Sequence, residues 1–199
     1  MLIIDTRQLY GQHIYLELLL PEHAPVLSKL AKDERIWEFT KTILINDQYD
    51  DQFQSYINAA LNPDIKDFVQ GFVVRQTSNK EIIGSTRYYE IDQKYKRLNI
   101  GYTWYVPSVW GKVHNKECKL LLLQYAFEVL HFRRVGFEVA HQNIRSQKAV
   151  EKIGGVKEGI LRNHGIRGDG SSRDTIIFSI IEKEWPDIKM RLAKFIEET

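Results

Sequence analysis

The chain has 199 residues, of which 43% are hydrophobic, 12% aromatic and 27% charged, and its net charge is +2. That composition excludes a disordered segment, and the near-neutral balance excludes a basic nucleic-acid-binding face. The single cysteine, Cys118, excludes an internal disulfide framework and a cysteine-based metal cluster. The scattered His13, His23, His131 and His164 have no metal-ligand spacing, so no metal is expected. The apolar run Leu120–Leu123 falls far short of the ~20 residues that cross a bilayer. Met1–Asp5 lacks the basic and apolar parts of a signal peptide. The expectation is one soluble cytoplasmic domain over 1–199 that engages neither membrane nor nucleic acid, as a monomer or homodimer.

In chain order, alternation over Ile14-Tyr15-Leu16-Glu17-Leu18 predicts a first strand that ends before Pro21. Helical spacing follows over Glu22–Lys32 and Asp51–Leu61, joined by an aromatic stretch around Trp37 and Phe39. Three strands come next, Phe68–Arg75, Ile82–Tyr89 and Leu98–Val106, the first two separated by a turn at Ser78-Asn79-Lys80. A long helix over Asn115–His131 carries Glu117, Gln124 and Glu128 on one narrow polar edge and is otherwise apolar, the pattern of a helix pressed against a sheet. Cys118, early in it, reads as a buried small hydrophobe. Val135, Phe137 and Val139 alternate as a strand; Ala149, Val150 and Ile153 share one face of a short helix stopped by Gly154-Gly155. Strands Val156–Leu161 and Thr175–Ile181 flank a turn at Asp169-Gly170, and a last helix runs from Glu184 to Glu197. Strands first, then strand and helix in alternation, predict an α/β fold: one mixed sheet with helices on both faces.

Two junctions carry chemistry. The strand ending Thr103-Trp104-Tyr105-Val106-Pro107 turns through Trp110-Gly111-Lys112-Val113-His114-Asn115 into the long helix. Such a turn leaves unpaired N–H groups at a helix start, where the dipole also favours an anion, and a pyrophosphate suits it. Asn115 reads as the N-cap, with Lys112, Lys116 and Lys119 adding positive charge. An ordinary loop with solvated lysines has the same spacing. At the second junction a strand ends in Asn143 with Ser146 one helical turn on. An amide and a hydroxyl so placed can hold a ligand along the strand end. Asn143 also suits the N-cap of the short helix, and Ser146 a plain first-turn hydroxyl.

These residues, together with Leu9–Glu17, Asn99–Trp104, Asn115–Leu122, Tyr125–Glu128, Arg133-Arg134-Val135, Glu158–Arg162, Asp169-Gly170, Arg173-Asp174 and Glu184-Trp185-Pro186, resemble the GCN5-related N-acetyltransferase (GNAT) superfamily, in its RimJ/RimL-like group. The resemblance covers nearly the whole chain. It implies a central mixed sheet whose two parallel strands, here Leu98–Val106 and Val135–Ala140, splay apart around acyl-CoA. It places the pantetheine arm against the backbone of Trp104, Tyr105 and Val106. The pyrophosphate falls on the Trp110-Gly111-Lys112-Val113-His114-Asn115 loop, and Asn143 and Ser146 meet the pantetheine. Lys112, Lys116 or Lys148 would reach a phosphate. Acetyl-CoA is then the co-substrate, and a peptide N-terminus or small-molecule amine is the acceptor.

The departures are specific. The family's glycine-rich loop has Trp110, Val113 and Asn115 at its three marked places; the usual base, a Glu, is Asn99; the usual acid, a Tyr, is Val150. Ser146 remains as proton donor to the departing sulfur, and backbone near Tyr105 or Val106 as oxyanion donor. Glu90, Glu138 and His114 are further candidates for the base. An α-amine of pKa ~7.8 is about a tenth neutral at pH 7, a Lys side chain only about one part in 2,500, so weak general-base equipment favours an α-amine acceptor. A catalytically silent acyl-CoA-binding sensor or scaffold of the same fold is the alternative. The segments Trp37–Tyr49 and Tyr88–Lys96 are expected to shape the acceptor side, with Trp37, Phe39, Tyr88 and Tyr89 either lining it or filling the core.

Overall fold

The computed structural model of the chain describes residues 8–39, 43, 45–62 and 69–199. Met1–Asp5, the expected strand start at Phe68 and part of the Trp37–Tyr49 segment lie outside these residues. The sheet has eight strands: β1 (Gln8–Tyr10), β2 (Ile14–Leu18), β3 (Gln70–Gln76), β4 (Ile82–Asp92), β5 (Arg97–Tyr105), β6 (Arg134–Ala140), β7 (Val156–Ile166) and β8 (Ser172–Ile181). Their order is β1-β2-β3-β4-β5-β6-β8-β7. All pairs are antiparallel except β5 with β6. The helices are α1 (Ala24–Leu30), α2 (Glu34–Trp37), α3 (Tyr49–Leu61), α4 (His114–Gln124), α5 (Ile144–Lys152) and α6 (Trp185–Glu197).

Strand alternation sorts the core into two layers. Phe72, Val74, Tyr88, Tyr105, Val135 and Phe178 pack with Cys118 and Leu122 of α4, Val150 of α5 and Trp185 and Ile188 of α6. Val73, Ile82 and Trp104 turn to the opposite face, onto Leu27 of α1, Trp37 of α2 and Phe53 and Tyr56 of α3. Helices thus cover both faces of a mixed sheet, as the sequence pattern predicts. Cys118 is fully buried, as its apolar setting suggests.

Three expectations about the long helix are corrected. It starts at His114 with Val113 at the N-cap position, and no side chain caps it; Asn115 lies inside the first turn. It also ends earlier as an α-helix, at Gln124, and continues over Tyr125–Val129 as a single π turn. Glu117 does not sit on a solvated edge: it is 2% exposed and accepts the backbone N–H groups of Gln12, His13 and Ile14. Three converging donors make burial of that carboxylate affordable, and they fasten α4 to the β1–β2 turn.

Candidate active site

The parallel pair β5–β6 is joined only at its beginning, through Arg97 with Arg134, Leu98 with Val135 and Asn99 with Gly136. Beyond Asn99 the two strands run on to Tyr105 and Ala140 without pairing. The closed end is tight: a Cβ on Gly136 would lie 2.2 Å from Oδ1 of Asn99, so only glycine permits that contact. On the other side of β5 a bulge sits where Ser85 pairs with Trp104 and Arg87 with Gly101, and Tyr102 within it has φ +51°. A bulge adds local twist and bends its strand, which turns β5 away from β6.

The wedge decides which backbone groups are open. Trp104 pairs with Ser85, and the Val106 N–H donates to Ile83 at 2.8 Å, so both face β4. This corrects the expectation that Trp104, Tyr105 and Val106 together offer backbone to the pantetheine, and it removes Val106 as an oxyanion donor. Alternation turns the amides of Thr103 and Tyr105 towards the wedge. Trp104 instead spends its side chain in the core, 6.1 Å from Trp37. The Tyr105 phenol is buried on the α4 face beside Cys118, and that burial pushes its pKa well above the ordinary value. The tyrosine therefore reaches the wedge through its N–H alone.

Past β5 the chain forms a short turn, Pro107–Val109, and then reaches α4. Gly111 has φ +75° and open space where a Cβ would stand. Val113 is helical, φ −61°, so the missing family glycine demands nothing of it. The first-turn amides of an uncapped helix have no acceptor within the helix, and here no side chain supplies one. The start of α4 is a nest of N–H groups under a helix dipole.

Side chains around this nest differ from expectation. Lys112 is exposed, three residues before Asn115 of the first turn. Lys116 lies over the Phe195 ring at 3.0 Å, and burial with the nearby Lys152 lowers its pKa. Lys119 is not at the helix start at all: it is buried, with Nζ donating to Thr103 Oγ1 at 2.7 Å, and desolvation lowers its pKa. Trp110 donates its indole N–H to the Tyr105 carbonyl at 2.8 Å. The guanidinium groups of Arg145 and Arg35 lie 4.1 and 5.5 Å from its ring centroid. Neither arginine is signalled by local sequence, since residues from three distant segments meet at one indole. His114 is buried, its ring near Gln76 at 3.4 Å, and desolvation with Lys112 and His13 nearby lowers its pKa. It faces the β1–β2 and β3 side, away from the wedge.

On the β6 side, Asn143 Oδ1 accepts from Ser146 N–H at 2.9 Å, so Asn143 caps α5. Its Nδ2 has no hydrogen-bond partner among the described residues. Ser146 is half-buried in the same turn. Val150 is buried and offers no acid. At the closed end of the wedge a cleft of about 540 Å³ is lined by Asn99, Glu90, Gly136 and Glu138 among others. Asn99 Nδ2 donates to Glu90 Oε2 at 2.6 Å. Both carboxylates named from the sequence as bases thus stand beside Asn99, and His114 does not. Among the described residues no group of His, Cys, Asp or Glu side chains is arranged to hold a metal, and no helix is long and apolar enough to cross a membrane.

A family model described as an acetyltransferase (GNAT) domain matches residues 13–156. The uncharacterised N-acetyltransferase p20 of Bacillus licheniformis is 27% identical over 179 residues, 89% of this chain and 97% of p20. YdaF of Bacillus subtilis (strain 168), named as a candidate ribosomal N-acetyltransferase, is 27% identical over 180 residues, 88% of this chain and 94% of its own. Among solved structures, RimJ of Mycobacterium smegmatis in complex with CoA-disulfide superposes with a TM-score of 0.76 at 18% identity, covering 94% of this chain and 91% of RimJ.

Proposed function

This chain belongs to the GNAT acetyltransferase family, and we propose that it transfers the acetyl group of acetyl-CoA to a primary amine by direct attack in a ternary complex. The proposal takes 1–199 as one acyl-CoA N-acyltransferase domain working in the cytoplasm. The single observation that carries it is the wedge between β5 and β6, open beyond Asn99 and facing the uncapped start of α4. An extended amide-bearing arm fits beside the unpaired edge of β5 as an added half-strand, with Thr103 as its backbone partner and the Tyr105 N–H reserved for the thioester. A pyrophosphate fits the first-turn N–H groups from Val113 to Lys116, with the Lys112 and Arg145 side chains beside it. The CoA-disulfide bound by the RimJ neighbour supports the same chemistry.

The chain's own groups then have definite tasks. The Tyr105 N–H donates to the thioester oxygen as negative charge develops there. Asn143 Nδ2 holds the arm in line. The amine nitrogen forms its bond to the acetyl carbon, the carbon–sulfur bond breaks, and the Ser146 hydroxyl supplies the proton that sulfur takes. Glu90 or Glu138, beside Asn99, accepts through water the proton that the amine loses. An α-amine is the better acceptor, being already about a tenth neutral at pH 7 and so asking less of the base. A protein N-terminus or a small α-amine fits this demand.

The test has two parts. Acetyl-CoA should raise the melting temperature, and thiol release should then be followed over a panel of peptides and amines. A ternary mechanism gives intersecting double-reciprocal lines, whereas parallel lines would exclude it. Binding without turnover on any amine would make the chain a silent acyl-CoA binder. Absence of binding would overturn the assignment of the wedge.

A further inference from the structure

A second cleft, of about 450 Å³, opens on the other face of the sheet between α3 and the β4–β5 bulge; Gln48, Asp51, Ser55, Tyr56, Arg87 and Tyr102 line it. Arg87, on β4, is 2% exposed. Its guanidinium is 3.9 Å from the ring centroid of Tyr56 and 4.7 Å from that of Tyr102. Nη2 donates to the Tyr56 carbonyl at 2.9 Å, while Nε is buried with no acceptor. Among the described residues no carboxylate forms an ion pair with Arg87. Two ring faces offset part of the cost of burying this cation. They do not satisfy its in-plane N–H groups, which need an oxygen acceptor.

The cleft is next to the wedge. Tyr102, the bulged residue that forms one wall, immediately precedes Thr103 on the open edge of β5, and it is 48% exposed, so the wall that shields Arg87 borders solvent. The α4 start, where the diphosphate belongs, is on the far face, which assigns this side to the acceptor. We propose that Arg87 receives a carboxylate, and that the acceptor is therefore a primary amine which itself carries a carboxylate. The inference rests on the acetyl-transfer reading and adds the substrate class. A carboxylate suits the site better than a phosphate. The guanidinium fork matches a planar anion, and no second cation lines the cleft to balance a dianion. The remaining rim is neutral and hydrogen-bonding, Gln48 and Ser55, apart from Asp51, which is exposed and screened by solvent.

Matched acceptors test this. Ser-Glu-NH2 against Ser-Gln-NH2 places the carboxylate on a peptide side chain; Ser-Ala against Ser-Ala-NH2 places it at the end of a small acceptor. For the wild-type chain kcat/KM should be at least about tenfold higher for the acid member of one pair, the scale of one charge-assisted hydrogen bond, and the favoured pair identifies the source. In Arg87→Lys that ratio should fall below about threefold, since the charge stays but the fork is lost. Ratios within twofold in both pairs for the wild type, with turnover intact, overturn the carboxylate inference and leave acetyl transfer standing. If no amine is turned over, the N-acetylated forms of the same peptides, added with CoA, should still raise the melting temperature more when acidic. Equal shifts would overturn the inference independently of activity. The wild-type comparisons stand even if the buried Arg87→Lys variant misfolds.

Discussion

Replacing Glu117 by Gln tests how α4 is held. The carboxylate is 2% exposed and takes three backbone donors from the β1–β2 turn, at 3.0 Å for His13 and 3.1 Å for Ile14 with Gln12 as the third. Each hydrogen bond to a charged group contributes about 1.5–3 kcal/mol when its partner stays buried. A glutamine keeps one acceptor oxygen and turns an NH2 towards the remaining donors, so at least one backbone N–H is left unsatisfied. The expected net loss is about 2–4 kcal/mol, less than the sum of three bonds because solvent and small shifts recover part. For a chain of this size about 2–4 °C of melting temperature accompanies each kcal/mol, so the drop should be roughly 4–16 °C. Calorimetry or denaturant titration at pH 7 reads it. If the first-turn amides of α4 hold the diphosphate as proposed, KM for acetyl-CoA should rise as well. A melting temperature within about 2 °C of wild type would refute the claim that this carboxylate fastens the helix.

Three further substitutions separate roles that share a residue. Asn143→Asp keeps an oxygen for the Ser146 N–H but loses the Nδ2 donor, so stability should hold while KM for acetyl-CoA rises about tenfold; a loss of stability without change in KM would leave Asn143 only a cap. Ser146→Ala should lower kcat by about 10²-fold with KM for acetyl-CoA nearly constant, and an unchanged kcat would remove the hydroxyl from the proton path. Burial lowers the pKa of Lys119, so the folded chain binds fewer protons than the unfolded chain between that lowered value and the ordinary ~10.4. Stability should therefore rise with pH across that window, and Lys119→Met should abolish the rise while stabilising the chain below it; denaturant midpoints measured from pH 7 to 10.5 with the same slope in both would refute this.

Much of the frame was legible because single faces are buried. The alternation over Ile14–Leu18 coincides residue for residue with β2, since it reflects one side packed in the core. The sequence pattern ends the edge strand at Leu161, whereas β7 continues to Ile166. Nearly all its side chains are exposed on both faces, so no period marks its extent. Glu117 looked solvated because helical periodicity reports which side of a helix a residue occupies, not what a turn a hundred positions earlier brings to it. Asn115 looked like a cap by residue type, but Gly111 starts the turn early and the helix begins at His114, so the amide-rich start stays open. Only packing brings Arg35 and Arg145 to the Trp110 ring and Arg87 between Tyr56 and Tyr102, because each contact joins segments far apart in the sequence.

The wedge is built from satisfied groups and not from a strained pair of strands. An unpaired sheet edge ordinarily seeks a partner, and β6 is close enough at Asn99 to supply one. Three residues prevent the zipper from closing. The absent side chain at Gly136 lets Asn99 tuck in and fixes where pairing stops. The bulge at Tyr102 turns the strand just beyond that point. The indole of Trp110 then occupies the Tyr105 carbonyl, which would otherwise face β6, while the Tyr105 N–H keeps no such protein partner in its direction. The edge is thus half answered: its acceptor is closed off by the chain itself and its donor is left open. A donor without an acceptor, at the mouth of a slot that ends in a nest of further donors, suits a ligand rich in oxygen along its length better than another strand, and this is the physical ground for the proposed thioester, amides and diphosphate.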